Sequence, residues 1–564
     1  MLTPAIDKIL FPHPHRLGLA AAGLLMLISF FLYLPGIFSL PPIDRDEARF
    51  AEASRQMVES GNWVDIRFQD EVRYKKPVGI YWLQAGTVKL AQKLGVTTAP
   101  DIIGLYRLPS LLGALLSVVF TGVIGARLLG AREGLIGAAL FSSCLLINVE
   151  AHMAKTDAML LACILACVMI YTKAYTRAHL DHPLRLKDFI LFWVALAFGF
   201  LIKGPVILLV VIGLPLLLRL MGDKTKWLSK LKPVIGIPLA IIIVAPWFIA
   251  ILTQSHGTFL KESAGQDLLT KFWQPGQSGA FTPPGVHTLV SLAVLWPVSL
   301  PLWLALPWIW KNRKERVVRF LLAWTIPIWV VFELIFTKLP HYVLPAYPAL
   351  TLLATAWLLQ PEHAGRPPRG YRAAFILVWS LVAILLCLVP AVMPVFVESQ
   401  IFFFPIFFGG LALGLGLAAV QLLRRDQRRF ATIPLYFAGA ILSFALFRFL
   451  FPDMPSVFVS ARIAEKLAAP GTCMHTTLVM TGYTEPSLVF LAGKDTRLVD
   501  RGEDAALALS ADPCITAGVA EEQMGNFKET LERVGARATE LAVIKGFNYA
   551  RGKPVKITLY QAKQ

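Results

Sequence analysis

Long apolar stretches separated by short polar punctuation run through most of the chain. A helix needs roughly 20 residues to cross about 30 Å of hydrocarbon. Stretches near that length predict helices at 17–39, 108–127, 134–150, 158–175, 188–202, 205–220, 234–253, 288–310, 318–337, 342–360, 373–396, 401–423 and 431–451. Backbone polar groups in lipid must be satisfied within the segment itself, so helices are the reading for runs of this kind. The pattern predicts an α-helical polytopic membrane protein with about 13 transmembrane helices, its amino end inside and its carboxyl end outside. The first stretch lacks a small-residue cleavage site and reads as a retained anchor.

The pattern changes in two places. Residues 41–107 form a charged and aromatic loop with amphipathic helices expected at 47–59 and 78–93, of the kind that lie in a membrane interface. From residue 453 short apolar runs, Gly-rich turns and interspersed charge predict strands alternating with helices at 456–468 and 519–535. The expected division is a transmembrane domain, 1–452, with outer loops 41–107 and 254–287, and a carboxyl-terminal periplasmic α/β domain, 453–564.

Composition agrees with the pattern, at 56% hydrophobic and 16% charged residues. The net charge of +18 invites a nucleic-acid reading, but the basic residues gather in alternate loops. Arg127 and Arg132, then Arg177, Arg185 and Lys187, then Lys224 to Lys232, Lys311 to Arg316, Arg366 to Arg372 and Arg424 to Arg429 all fall on one side. The positive-inside rule makes that side cytoplasmic, so the charge reports topology and no nucleic-acid partner is expected. Four cysteines lie in predicted spans, whereas Cys473 and Cys514 fall in the outer domain, where an oxidising compartment would permit a disulfide.

The same phase puts the unusual polar residues on the outer face. They include Asp46-Glu47-Ala48-Arg49-Phe50-Ala51-Glu52 after the first span, Arg73-Tyr74-Lys75-Lys76-Pro77 with Tyr81-Trp82, Lys155 and Asp157 at a turn, Lys203-Gly204-Pro205, and Lys338-Leu339-Pro340-His341-Tyr342 with Leu344-Pro345-Ala346-Tyr347-Pro348. These motifs resemble the bacterial ArnT-like lipid A glycosyltransferases, a group similar to the protein O-mannosyltransferases. Lys75 stands where many relatives carry glutamate. The resemblance implies transfer of a sugar from a polyprenyl (undecaprenyl) phosphate to lipid A or another lipopolysaccharide acceptor, at the periplasmic face of a bacterial inner membrane. The best-known members transfer aminoarabinose.

Such a reaction develops negative charge on the leaving phosphate, which fixed cations stabilise. Lys76, Lys203, Lys338 and His341 are the outward candidates, with Arg73 and Lys75 beside them. Asp46 is the candidate to orient or deprotonate the acceptor or to stabilise an oxocarbenium-like centre, and Asp157 to hold a basic neighbour or the acceptor. Glu47, Arg49 and Tyr342 are supporting candidates. Each has a plainer reading: Asp46 and Glu47 as helix-start charges, Lys76 and Lys338 as snorkelling lysines, Lys203 as a helix-end residue, His341 and Tyr342 as interface anchors. Asp157 near hydrocarbon demands a partner, and Lys155 is a candidate for it.

Asp44 and Asp46 form a D-x-D, with Glu71 in the same loop and His256 and His287 in another, which leaves a divalent metal open. There is no Gly-rich nucleotide loop, in keeping with a lipid-linked donor. Two alternatives are a protein O-mannosyltransferase, in which Asp46 acts as a true base toward Ser or Thr, and a lipid-linked sugar transporter. Ionisable groups confined to one face and the lack of repeated halves argue against the transporter.

Overall fold

The computed structural model describes residues 9–43, 45–177, 183–263, 282–361, 365–468 and 476–563. Asp44, residues 264–281 of the 254–287 loop, and Cys473 lie outside them. Helix occupies each of the thirteen predicted stretches. Seven described helices are long and apolar enough to cross a membrane alone, among them Ile103–Leu128, Asp157–Thr176, Pro233–Gln254 and Arg369–Glu398. A bent pair, Ala131–Ser142 with Leu145–Ala151, raises the number to eight. Leu19–Tyr33 and Val206–Leu220 are apolar but shorter. Outward faces carry bare hydrocarbon, with Ile242 68% and Phe396 84% exposed. A face of this kind is solvated by lipid and would associate in water. The chain is a helical multi-pass membrane protein.

Three stretches that the pattern predicts as continuous are broken. The 134–150 stretch bends by 66° between its two helices, where Cys144 is extended (φ −65°, ψ 139°). Polar side chains take up the carbonyls that the break releases. Tyr33 Oη donates to Ser142 O at 2.9 Å, and Asn148 Nδ2 donates to Ser142 O and Cys144 O at 3.0 and 2.8 Å. Residues 288–310 divide into Val286–Val294 and Ser299–Lys311 around Trp296-Pro297. The two breaks meet, since Leu145 N–H donates to Trp296 O at 3.1 Å. The 342–360 stretch opens as a 3-10 turn, Pro340–Ala346, before the helix Tyr347–Leu358, because its prolines remove backbone donors.

In the 41–107 loop the helices are Asp46–Ser60 and Gly79–Lys93, joined by a short antiparallel pair, β1 (Arg67–Phe68) and β2 (Glu71–Val72). Near the carboxyl end a five-stranded sheet has β3 (Thr477–Thr481), β4 (Arg497–Val499), β5 (Ile515–Ala520), β6 (Ala538–Asn548) and β7 (Lys553–Ala562) in the order β4-β3-β5-β7-β6. β3 runs parallel to β4 and β5, and the β6–β7 hairpin adds antiparallel to β5. Alternate residues feed two cores: Leu478, Met480, Ile557 and Leu559 on one face, Val479, Ala517, Val519 and Tyr560 on the other.

The helix expected at 519–535 is Met524–Arg533, because Val519 and Ala520 are drawn into the wholly buried β5. Pro486–Ala492 and Gly502–Ala511 are helices that the strand-like composition concealed. Cys514 is disulfide-bonded, while Cys144, Cys163, Cys167 and Cys387 are buried free thiols. The sheet unit rests on the 41–107 loop. Arg45 donates to Ala550 O, Arg55 to Phe490 O, and the Gln69 amide to Lys494 O and Thr496 O, at 2.6–3.0 Å.

Candidate active site

A cavity of about 310 Å³ lies where the 41–107 loop, the 155–157 turn, the 203–206 junction and the 339–345 turn converge. Asp46, Arg73, Lys75, Lys76, Asp157, Lys203, His341 and Tyr342 all line it, as does Lys155. Phe50, Phe200, Phe248, Phe259 and Phe332 supply an apolar wall. A lining that combines several cations with aromatic side chains suits a ligand with an anionic head and a hydrocarbon tail.

Local structure explains the positions. Asp46 opens the Asp46–Ser60 helix, where a carboxylate complements the positive end of the helix dipole. Asp157 opens Asp157–Thr176 in the same way, and Lys203 closes Leu186–Lys203 at the negative end. Lys203 Nζ donates to Asp157 Oδ1, so one ion pair joins two helix termini with both charges favourably placed. Gly204 leaves the helix at φ +65°, which lets the chain turn directly after Lys203. The Lys203 ammonium also lies 5.7 Å from the Tyr342 ring centre.

Lys155 is nearly buried and bonds first to Glu150, at 2.9 Å, with Asp157 Oδ2 farther away at 3.8 Å. Its backbone carbonyl accepts from Ser110 Oγ at 3.1 Å. Burial alone would lower the Lys155 pKa, but Glu150 and Asp157 outweigh it and hold the ammonium raised at about 12. His341 sits among these groups, with Nδ1 3.4 Å from Lys155 Nζ and Nε2 4.0 Å from Asp157 Oδ2. Burial, reinforced by Lys155 and Lys203, pushes its pKa well below the ordinary imidazole value against the pull of Asp157. This environment favours the neutral form of the imidazole.

Three candidates do not line the cavity. Lys338 turns away, its ammonium donating to Thr282 O and Ile335 O, both at 2.8 Å. Arg49 lies near Arg73, Asp46 and Glu485, and burial and the Arg73 charge lower its pKa. Glu47 is fully buried and pairs with neither Arg49 nor solvent. Its oxygens accept from Arg107 Nε and Nη2 at 2.8 and 2.9 Å, from Ile43 N–H at 2.7 Å and from Ala154 N–H at 2.7 Å. Arg107 spends its remaining donors on the carbonyls of Ile37, Leu40 and Pro41. This clasp ties the residue before Ala48 to the turn before Asp157, and so sets both cavity carboxylates on one frame.

Arg107 and Glu150 escaped the sequence reading. Glu150 carried a signal, since an acid inside an apolar span marks a site by default. Arg107, at the edge of the first loop, carried none. Among the described residues no cluster of three or more His, Cys, Asp or Glu is arranged to hold a metal ion. Of the D-x-D only Asp46 is described, and His287 is occupied by Leu339 O at 3.1 Å and Glu333 at 3.7 Å.

Sequence and structure comparisons meet at this site. Residues 75–249, which include Lys75, Lys76, Lys155, Asp157 and Lys203, match the profile of the dolichyl-phosphate-mannose-protein mannosyltransferase family. The chain is 27% identical over 368 residues to undecaprenyl phosphate-alpha-4-amino-4-deoxy-L-arabinose arabinosyl transferase 1 of Pseudomonas fluorescens Pf-5, across 61% of this chain and 60% of that protein. It is 26% identical over 363 residues to the corresponding transferase of Pseudomonas aeruginosa UCBPP-PA14, across 60% of each. The match thus spans about 60% of the length of these relatives. In fold it is similar to ArnT from Cupriavidus metallidurans bound to undecaprenyl phosphate, with a TM-score of 0.69 at 18% identity over 96% of this chain and 98% of that one. The archaeal oligosaccharyltransferase AglB from Archaeoglobus fulgidus is more distant, at a TM-score of 0.51 and 10% identity over 93% of this chain and 69% of that one. In sequence the chain is thus similar to these arabinosyl transferases, and in fold to ArnT.

Proposed function

We propose that the chain is a glycosyltransferase that moves a sugar from a polyprenyl (undecaprenyl) phosphate donor to lipid A or another lipopolysaccharide acceptor. The observation that carries this reading is the cavity itself, which brings Asp46 and Asp157 together with Arg73, Lys75, Lys76 and several phenylalanines, within an ArnT-like fold. The bond from the sugar anomeric carbon to the phosphate oxygen breaks, and its electron pair leaves with the phosphate. Arg73, Lys75 and Lys76 stabilise the charge that develops there. An acceptor oxygen closes on the same carbon. A phosphate acceptor attacks as an anion, with Asp46 orienting it, whereas a hydroxyl acceptor passes its proton to Asp46. Lys203 is committed to Asp157 and acts by fixing that carboxylate.

The accompanying topology has thirteen crossings of the bacterial inner membrane, residues 1–452 as the transferase domain, and both the cavity and the 453–564 unit in the periplasm. The alternation of basic loops supports it. Mass spectrometry of lipid A and core oligosaccharide tests the reaction in cells carrying wild type, Asp46→Asn or no copy. A mass increment of one sugar that appears only with wild type is the expected result. No increment in any lipid fraction, with the protein inserted, would count against it.

The family profile over 75–249 favours one second reading, transfer to protein hydroxyls. Turnover that depends on an added Ser/Thr peptide distinguishes it.

A further inference from the structure

We propose that Glu150 is a positioning residue of the cavity, holding Lys155 against His341 so that the imidazole keeps its proton on Nε2 and presents it towards Asp157. The inference rests on the glycosyl-transfer reading for its kinetic consequence alone.

Two buried acids in this region are built differently. Glu47 takes four hydrogen bonds and is a structural clasp. Glu150 is 1% exposed, yet its Oε2 has no hydrogen-bond partner among the described residues. Burying a carboxylate for a single strong contact is costly, and that contact, Oε1 to Lys155 Nζ at 2.9 Å, is where its effect must lie. An ammonium has three N–H donors and no lone pair, so at the 3.4 Å contact with His341 Nδ1 the ring nitrogen accepts. A neutral imidazole that accepts at Nδ1 carries its proton on Nε2. That nitrogen lies 4.0 Å from Asp157 Oδ2, on the side of the cavity.

The charges facing His341 come from several elements. Glu150 comes from Leu145–Ala151, Lys155 and Asp157 from the following turn and helix start, Lys203 from the end of Leu186–Lys203, and His287 from Val286–Val294. Without Glu150, the nearest carboxylate to Lys155 is Asp157 Oδ2, 3.8 Å away. The ammonium would move there, Nδ1 would lose its donor, and Asp157 would be doubly neutralised by Lys155 and Lys203.

The test uses the full chain in nanodiscs with ¹⁵N-labelled histidine, and His341→Gln to assign the ring signals. Wild type should show a neutral His341 protonated on Nε2, and Glu150→Gln should convert it to a mixture of tautomers. In donor turnover, E150Q should lower kcat by roughly 10- to 100-fold with little change in KM for the polyprenyl donor. Its alkaline limb should move to lower pH, because Lys155 loses the first of the two carboxylates that raise it. Glu150→Asp should recover part of both effects. If E150Q does not fold, Lys155→Gln carries the same expectation for the ring. A wild-type ring protonated on Nδ1, or an E150Q protein with unchanged tautomer and turnover, would overturn the proposal. A wild-type protein that transfers no sugar sinks the reaction instead, and the ring measurement still decides the role of Glu150.

Discussion

Glu52, six residues beyond Asp46, is fully buried, and neither carboxyl oxygen has a hydrogen-bond partner among the described residues. Burial pushes its pKa from 4.5 up to about 7, against the pull of Arg55. Between those values the unfolded chain has released a proton that the folded chain keeps, so stability falls as pH rises through that window. At about 1.4 kcal/mol per unit the window spans roughly 3 kcal/mol. Glu52→Gln should raise the apparent Tm at pH 8 and flatten its pH dependence; an unchanged slope would mean that another group titrates. Arg107 gives the opposite expectation. Arg107→Ala leaves Glu47 buried without a cation and should cost about 3–5 kcal/mol. The Glu47→Ala, Arg107→Ala double variant should lose less than the sum of the singles in thermal unfolding. Residue type and position between apolar stretches were enough to find eight of the cavity-lining groups, since charge near hydrocarbon is rare. Partners were not legible: Arg107 is 60 positions from Glu47, and only the folded chain brings them together.

Helices were legible wherever hydrophobicity alone decides, and their interruptions were not, because a break is stabilised by distant donors such as Tyr33 and Asn148 rather than by local composition. Close helix packing carries the site in the same non-local way. A Cβ at Gly113 would lie 2.6 Å from the Ala158 backbone, directly after Asp157. One at Gly79 would lie 2.8 Å from the Leu201 backbone, just before Lys203. In both cases the obstacle is main chain, which cannot rotate away. Gly113→Ala should therefore keep the protein membrane-inserted while lowering turnover on the order of 100-fold by displacing Asp157. Wild-type activity in that variant would show that the helix start moves freely. Gly79→Ala should act through Lys203 and Asp157 in the same assay.

For the whole molecule, the contacts between the carboxyl-terminal sheet unit and the 41–107 loop are the feature with most reach. Phe490 meets Tyr106 edge-on at 5.5 Å and offers its carbonyl to Arg55, while Lys494 and Thr496 accept from Gln69. Phe490→Ala with Arg55→Ala should raise amide hydrogen exchange in residues 46–76 at least tenfold; unchanged protection would make the sheet unit a passive appendage. The α/β character of this unit was legible from its turns and charge, but its seat on residues 45–69 was not, since no pattern within either segment names the other. The seat also has a consequence in time. The loop that bears Asp46 is made well before its supports: Phe490 and Ala550 follow Arg55 and Arg45 by 435 and 505 positions. A nascent chain therefore carries an unsupported Asp46 loop until those residues have been made, and a truncation that removes them takes away the seat of a segment hundreds of positions earlier.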